Sequence, residues 1–321
     1  MNNSQMLTDE VSDERAWRAS TIDDTAAWYY PLSEDCLSSF ESIIYDARGL
    51  PGSITEISRP VSSSNGCDES LQRALEALNS GRGFAIIERM PIEQYTVEAA
   101  LSMYWLIGQF LGKPMEQNIE GTLLYDVRDT GQNVAQGARF SVTNAESSFH
   151  NDNSFGELLP ELVGLLCLHT AKSGGQSQLI SGYALHNELL ENHPDVLETL
   201  YQLFCFDRRG QFKAGESPTS QFPIFQWSRG ELTLRYLHYY IQVGHEHAGQ
   251  KLNRDQRKAL EVVERLLSRA DFRVEFNLQP GQMLFTNNRW ILHNRTAFED
   301  YTDPERRRHY VRLWLRQHGQ M

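Results

Sequence analysis

Positive charge is in short supply in this chain. Thirty lysines and arginines stand against 42 aspartates and glutamates, a formal net charge of −12. A nucleic-acid-binding protein needs a basic face, so a nucleic-acid partner is not expected. Long apolar runs are also missing. Stretches such as Leu162 to Leu168 fall far short of the roughly 20 residues of a membrane span, and no membrane partner is expected. The N-terminal MNNSQMLTDEVSDER has neither the basic start nor the apolar middle of a signal peptide, so a soluble cytoplasmic protein is the expectation. The four cysteines, Cys36, Cys67, Cys167 and Cys205, are scattered and form no CxxC pair. They read as neither a disulfide framework nor a structural zinc site, and Cys167, inside an apolar run, reads as a small buried hydrophobe. No GxGxxG or GxxxxGK[ST] occurs, so nucleotide cradling has no support. Internal repeats and low-complexity tracts are absent too.

What is present is globular material: 321 residues, 40 % of them hydrophobic, enough for a substantial core. Residues 1–30 read as a loosely ordered tail, or one packed on the surface, and 31–321 as a single domain. Gly49-Leu50-Pro51-Gly52 and Ser62 to Gly66 have turn and loop composition. Gly83 to Ile87, Leu123 to Val127, Leu162 to His169, Ser177 to Ser181, Leu232 to Tyr236, Phe272 to Leu278, Met283 to Thr286 and His309 to Leu315 are expected as strands. Helices are expected over Thr96 to Leu111, Gly182 to Glu191, Pro194 to Leu203 and Asn253 to Ala270, with Thr96 as a cap and Pro194 at a favourable first position. Many short strands with Gly/Pro turns and a few helices suggest a β-sandwich or jelly roll with helical cover, not a doubly wound parallel sheet.

The chemistry concentrates at His150-Asn151-Asp152, answered 143 positions later by His293. On an extended segment residues i and i+2 share a side, so His150 and Asp152 can reach one metal from one strand end. Two imidazoles and a carboxylate on one face of iron(II) leave the opposite positions open for a chelating acid and O₂. Alone, an HxD is a weak signal that many surfaces carry by chance, and the case rests on the joint pattern. His245-Glu246-His247 offers a second pair of imidazoles. It lies between glycines and reads as a solvated or substrate-facing loop. The arginines from Arg306 to Arg312 supply bidentate, permanently charged grips for a carboxylate, although some of so dense a group must simply be solvated.

Together these pieces resemble the taurine dioxygenase-like (TauD/TfdA) branch of the iron(II)/2-oxoglutarate-dependent oxygenases. The resemblance runs from about Gly83 to Leu315. It includes Gln117-Asn118, Thr143-Asn144-Ala145-Glu146 before His150, the Lys172 to Ser177 turn, Pro280-Gly281, Asn288-Arg289 and the segment Arg306 to Leu315. It implies an α+β, mainly β protein: a double-stranded β-helix (cupin-like jelly roll) with flanking and inserted helices. It implies that His150, Asp152 and His293 are catalytic metal ligands. Ser177 and Arg308 would hold the distal carboxylate of 2-oxoglutarate, and Arg312 would meet a substrate anion or the keto acid end; the spacing from His293 leaves the two arginines open to exchange. Asn118, Tyr125, Asn144, Glu146, Phe149 and Arg312 are the implied substrate contacts. The expected cofactors are Fe(II), the co-substrate 2-oxoglutarate and O₂. The expected reaction is hydroxylation of an unactivated C–H of a small, amino-acid-like or natural-product substrate, with release of succinate and CO₂. Asp152 argues against halogenation, since halogenating relatives carry a small residue there. Desaturation, epoxidation or ring formation by the same oxidant, a non-catalytic jelly-roll binder, and a zinc hydrolase are the rivals; the last would leave Arg308 and Ser177 without a task. Assembly into a homo-oligomer is left open.

Overall fold

Leu162–His169 is apolar along almost its whole length, which suits a strand covered on both faces. In the computed structural model, which describes residues 5–47, 53–58, 67–133 and 138–317, it is the centre of a seven-stranded sheet. The order is Tyr29–Tyr30, Phe84–Ile87, Met283–Asn287, Leu162–His169, His309–Arg316 and Lys113–Met115, with Leu124–Val127 also on His309–Arg316. Only the first pair is parallel. A three-stranded antiparallel sheet, Arg273–Phe276, Ser177–Ser181 and Ile291–Arg295, makes the second layer. The architecture is the jelly roll expected from the strand pattern, with helices around it.

Alternation along His309–Arg316 divides the core. Tyr310 joins the cluster that also holds Leu179, Leu284 and Leu292, between the sheets. Val311, Leu313 and Leu315 point the other way, into a cluster closed by helices Glu34–Ala47, Asp68–Asn79 and Val97–Leu111. Thr96 caps the last of these by accepting from the Ala99 amide. Gly108 lets that helix sit on the sheet: a Cβ there would stand 2.2 Å from Leu313 Cδ2. Outside the small sheet lie helices Gly182–Asn192, Pro194–Leu200, His238–His247 and Arg254–Leu267, and two hairpins, Leu203–Asp207 with Thr219–Pro223 and Phe225–Ser228 with Glu231–Leu234.

Several expectations change. In the N-terminal segment, expected to be loosely ordered or packed on the surface, Trp17 and Trp28 are buried in the main core, Trp17 Nε1 donates to the Arg82 carbonyl at 2.7 Å, and Arg15 stacks on Tyr183. Cys36 and Cys67 form a disulfide that ties Glu34–Ala47 to the start of Asp68–Asn79. The scattered spacing hid this bridge, because Cys36 lies on one helix that was not anticipated and Cys67 caps another. Cys167 is fully buried, and burial pushes its thiol up to about 11. The segment around His245 is helical, not a loop. The helix begun by Pro194 ends at Leu200, because Leu203 opens a strand. The turn at Gly49 to Gly52 and the loop at Ser62 to Gly66 lie outside the described residues. Among the described residues no helix is long and apolar enough to cross a membrane.

Candidate metal centre

His150 and His293 face each other as a cross-strand pair. The amide of each donates to the carbonyl of the other at 3.0 Å, which sets their rings 4.2 Å apart, centre to centre. His150 Nδ1 lies 2.9 Å from the Ser148 carbonyl, so that nitrogen carries the proton and Nε2 is left for the site. Asp152 sits in the turn just beyond. Its amide donates to Asn288 Oδ1 at 2.8 Å, and Asn288 Nδ2 returns to the Asp152 carbonyl at 2.9 Å. Asn288 is fully buried, so the ligand-bearing turn is pinned from beneath. One ligand atom from each of His150, Asp152 and His293 lies within 4.8 Å of the others, a spacing that can hold a metal ion.

The two oxygens of Asp152 differ. Oδ1 faces the imidazoles, 3.6 Å from His150 Nε2 and 3.7 Å from His293 Nε2. Oδ2 accepts from Trp314 Nε1 at 2.8 Å, and Arg312 Nη1 straddles the carboxylate, 3.1 Å from Oδ2 and 3.2 Å from Oδ1. Burial by itself would raise the Asp152 carboxyl, but the Arg312 guanidinium and the two imidazoles hold it well below the usual carboxylate range. Burial and the neighbouring His150 depress His293, against the pull of Asp152. Neutral imidazoles beside an ionised carboxylate are the protonation states that ligate a divalent ion.

These groups line a cavity between the two sheets, and Ser177, Arg308 and Arg312 line it as well. The two arginines are not equivalent. Arg312 has its fork committed: Nε donates to Gln117 Oε1 at 2.8 Å and Nη1 meets Asp152. Arg308 is 3 % exposed and lies flat over the Tyr310 ring at 3.9 Å, yet its Nε and Nη1 find no hydrogen-bond partner among the described residues. Burial lowers its pKa, with Tyr310 and Asp300 among the groups that oppose the shift. A buried guanidinium with unmatched N–H groups is costly unless a ligand completes it. A carboxylate is the complementary shape. Two other buried arginines also leave Nε without a partner but use their outer nitrogens on the backbone: Arg295 donates to the Thr143 and Ala145 carbonyls, and Arg235 to those of Ser154, Gly156 and Glu157.

Of the residues expected to touch substrate, Arg312 lines the cavity and the other five do not. Asn118 is locked in a turn with Thr122, and Tyr125 lies under Arg312, 5.0 Å from its guanidinium. Asn144 and Glu146 are exposed, and Glu146 accepts from Asn294 at 2.9 Å. Phe149 is packed in the core. The wall instead includes Gln117, Arg139, Phe140, Ser147, Tyr240, Asn294, Arg295 and Trp314. Strand alternation carries a signal for two of these, since Arg295 is two positions from His293 and Trp314 two from Arg312; nothing local marks Arg139 or Tyr240. His245 is 6 % exposed; its Nε2 accepts from the Cys205 amide at 3.1 Å and its Nδ1 donates to the Gln250 carbonyl at 2.7 Å. Those bonds leave it no ligand atom, so the alternative metal pair is a structural contact.

A jelly roll that encloses two histidines, one aspartate and an arginine with two unmatched nitrogens defines a facial-triad type of centre. Residues 46–314 match the family described as "Taurine catabolism dioxygenase TauD, TfdA family", and the chain belongs to that family; it is an oxidoreductase. It is similar to FR-33289 synthase of Streptomyces rubellomurinus (strain ATCC 31215), at 28 % identity over 320 residues, 97 % of this chain and 91 % of the relative. A uridine-5'-phosphate dioxygenase of an Amycolatopsis species is 29 % identical over 174 residues, 53 % of this chain and 61 % of its own. The fold is shared with an asparagine oxygenase solved with Fe(II), 2S,3S-3-hydroxyasparagine and succinate: TM-score 0.67, 17 % identity, 90 % of this chain and 93 % of that one. It is likewise shared with the non-heme iron oxygenase OrfP, solved with Fe and α-ketoglutaric acid: TM-score 0.63, 14 % identity, 89 % and 93 % covered.

Proposed function

We propose that the chain is an iron(II)- and 2-oxoglutarate-dependent dioxygenase that hydroxylates an unactivated C–H bond of a small amino-acid-like or natural-product molecule. One oxygen atom of O₂ enters the product and the other enters succinate, as CO₂ leaves 2-oxoglutarate. The observation that carries this reading is Arg308, buried with Nε and Nη1 unpartnered among the described residues, in the same cavity as His150, Asp152 and His293. Iron and 2-oxoglutarate, when bound, supply the activation of O₂. The chain's residues supply the frame. His150, His293 and Asp152 would hold the metal, with the imidazole Nε2 atoms and the Asp152 carboxylate as the ligand atoms. Arg308 and Ser177 hold the distal carboxylate of 2-oxoglutarate. Arg312, with its fork on Asp152 and Gln117, fixes the carboxylate ligand rather than a free anion. Leu165, Leu179 and Leu284 line the cavity and exclude water. The carboxylate at position 152 favours oxygen insertion over halogenation.

The test is anaerobic. Iron(II) and 2-oxoglutarate added together should give a weak visible chelate band near ~500 nm. Asp152→Ala should lose the band, and Arg308→Gln should weaken 2-oxoglutarate binding about tenfold or more. No band in the unaltered protein, with 2-oxoglutarate binding untouched by Asp152→Ala, would sink the reading.

A further inference from the structure

We infer that Arg235 is a positioning residue of the metal centre: from outside the cavity it clamps the turn that follows Asp152, and so fixes the direction in which that carboxylate meets iron. The inference rests on the oxygenase reading and adds a residue to it. Arg235 follows the strand Glu231–Leu234 and is 7 % exposed. Its Nη1 donates to the Ser154 carbonyl at 3.1 Å and to the Gly156 carbonyl at 2.6 Å, and Nη2 donates to the Glu157 carbonyl at 3.3 Å. The Phe222 ring covers the guanidinium at 4.0 Å. Burial pulls its pKa down to about 10, and no carboxylate of a described residue opposes the shift. A buried cation held by main-chain carbonyls is a costly way to fill a core, because an apolar side chain of similar volume packs without that desolvation. What the planar fork does supply is direction, fixing three carbonyls of one turn at once.

The turn is held in a shape its backbone does not favour. Asn153, directly after Asp152, has a φ of 55°, in the left-handed region that side-chain-bearing residues seldom adopt. Such a conformation persists only where its surroundings enforce it. Asn288 Nδ2 closes the base of the turn, donating to the Asp152 and Pro160 carbonyls at 2.9 and 3.0 Å. Asn153 Nδ2 donates across it to the Leu158 carbonyl at 2.9 Å, and Ser220 Oγ donates to the Phe155 carbonyl at 2.7 Å. Arg235 takes three of the remaining carbonyls. Without Arg235 those carbonyls lose their donor and Asn153 is free to relax, carrying its neighbour Asp152 with it.

Position separates this role from ligand contact. Asn153 and Phe155 of the turn line the cavity, whereas Arg235 stands outside its wall. The chain beside Arg235 also docks the ligand segment, since the Tyr236 carbonyl accepts from the Asn151 amide at 3.0 Å. Arg295 has the matching place upstream, on the Thr143 and Ala145 carbonyls, but it lines the cavity, and a variant there would mix positioning with ligand contact. An effect of Arg235 on the metal passes through the turn it holds.

The experiment titrates the full chain anaerobically with iron(II) and records its melting temperature. Arg235→Met keeps the apolar stem and removes the donors; it should weaken iron(II) binding about tenfold, and Arg235→Lys should recover part of the loss. Ser220→Ala, which removes one contact to the same turn, should weaken it severalfold. Leu260→Ala opens a hole in the helix Arg254–Leu267, outside the cavity wall; it should lower the melting temperature at least as far and leave iron(II) affinity unchanged. Unchanged affinity in Arg235→Met, or an equal loss in Leu260→Ala, would overturn the inference. If Arg235→Met does not fold, the other two variants of the clamp decide, and full affinity in both overturns it. Hydrogen exchange of the metal-free chain gives a second readout. Amides of residues 151–156 should exchange faster in Arg235→Met or Ser220→Ala while those of Ile291–Arg295 keep their rates; no change, or the same change in both segments, also overturns the inference. An unaltered chain that binds no iron(II) counts against the oxygenase reading, and the exchange pattern then decides whether Arg235 holds the turn.

Discussion

At the scale of the residue, the centre turns on how one carboxylate is divided. Asp152 Oδ1 is turned to the imidazoles, Oδ2 is held by the Trp314 indole at 2.8 Å, and Arg312 Nη1 bridges both, 3.2 Å from Oδ1 and 3.1 Å from Oδ2. A carboxylate with one oxygen restrained in this way presents a single ligand atom in a fixed direction, and such outer contacts tune metal sites strongly. Trp314→Phe keeps most of the ring and removes only the donor. The expected outcome is iron(II) affinity lower by about 10–100-fold, measured by anaerobic titration with folding checked by circular dichroism. Unchanged affinity would show that the indole N–H does not position the ligand. The metal ligands themselves were legible in the sequence because their chemistry is confined to His, Asp and their spacing. The division of labour between Arg308 and Arg312 was not. Arg312 lies in the strand His309–Arg316 and Arg308 just before it, and only the folded positions of Gln117 and Asp152 commit the Arg312 fork.

At the scale of the element, apolar strands announced themselves and several helices did not. Leu162–His169 and Ser177–Ser181 match their expected bounds because runs of apolar and β-branched residues have few other homes. His238–His247 was hidden by its composition. Its N-cap is Leu237, which makes no capping bond, and Gly244 looks like a breaker. Gly244 is instead a packing residue: a Cβ there would stand 2.5 Å from the Phe206 carbonyl carbon, so the helix could not lie on the strand Leu203–Asp207. Helices Glu34–Ala47 and Asp68–Asn79 went unread, and with them the Cys36–Cys67 bridge. A cross-link spanning 31 positions contributes about 3–4 kcal/mol in the chain-entropy account. Reduction should therefore lower the melting temperature by several degrees. Both cysteines lie in the helical cluster behind the large sheet, on the far side from the metal ligands. The iron(II)–2-oxoglutarate band should thus survive reduction below that temperature; its loss would show that the helical layer and the site are coupled.

At the scale of the whole molecule, the N-terminal segment and the helical layer beside the small sheet close over one buried histidine. His186 is fully buried on Gly182–Asn192, with Nε2 3.0 Å from the Tyr201 hydroxyl and the Phe225 ring edge-on at 5.3 Å. The Tyr201 hydroxyl also accepts from the Leu7 amide at 3.3 Å, and Asn187 on the same helix bonds both the amide and the carbonyl of Val11. Burial pulls the His186 pKa from 6.5 down to about 4. Because the folded value lies below the unfolded one, the unfolded chain takes up the proton first. The stability this group supports is complete above pH 6.5 and is lost as pH falls toward 4, by about 2 kcal/mol between pH 7.5 and pH 5. Denaturant melts at those two pH values should show that loss in the native sequence, and a clearly smaller one in His186→Gln, whose side chain does not titrate. Equal losses in the two proteins would place the acid sensitivity outside the layer that joins the N-terminal segment to the rest of the fold.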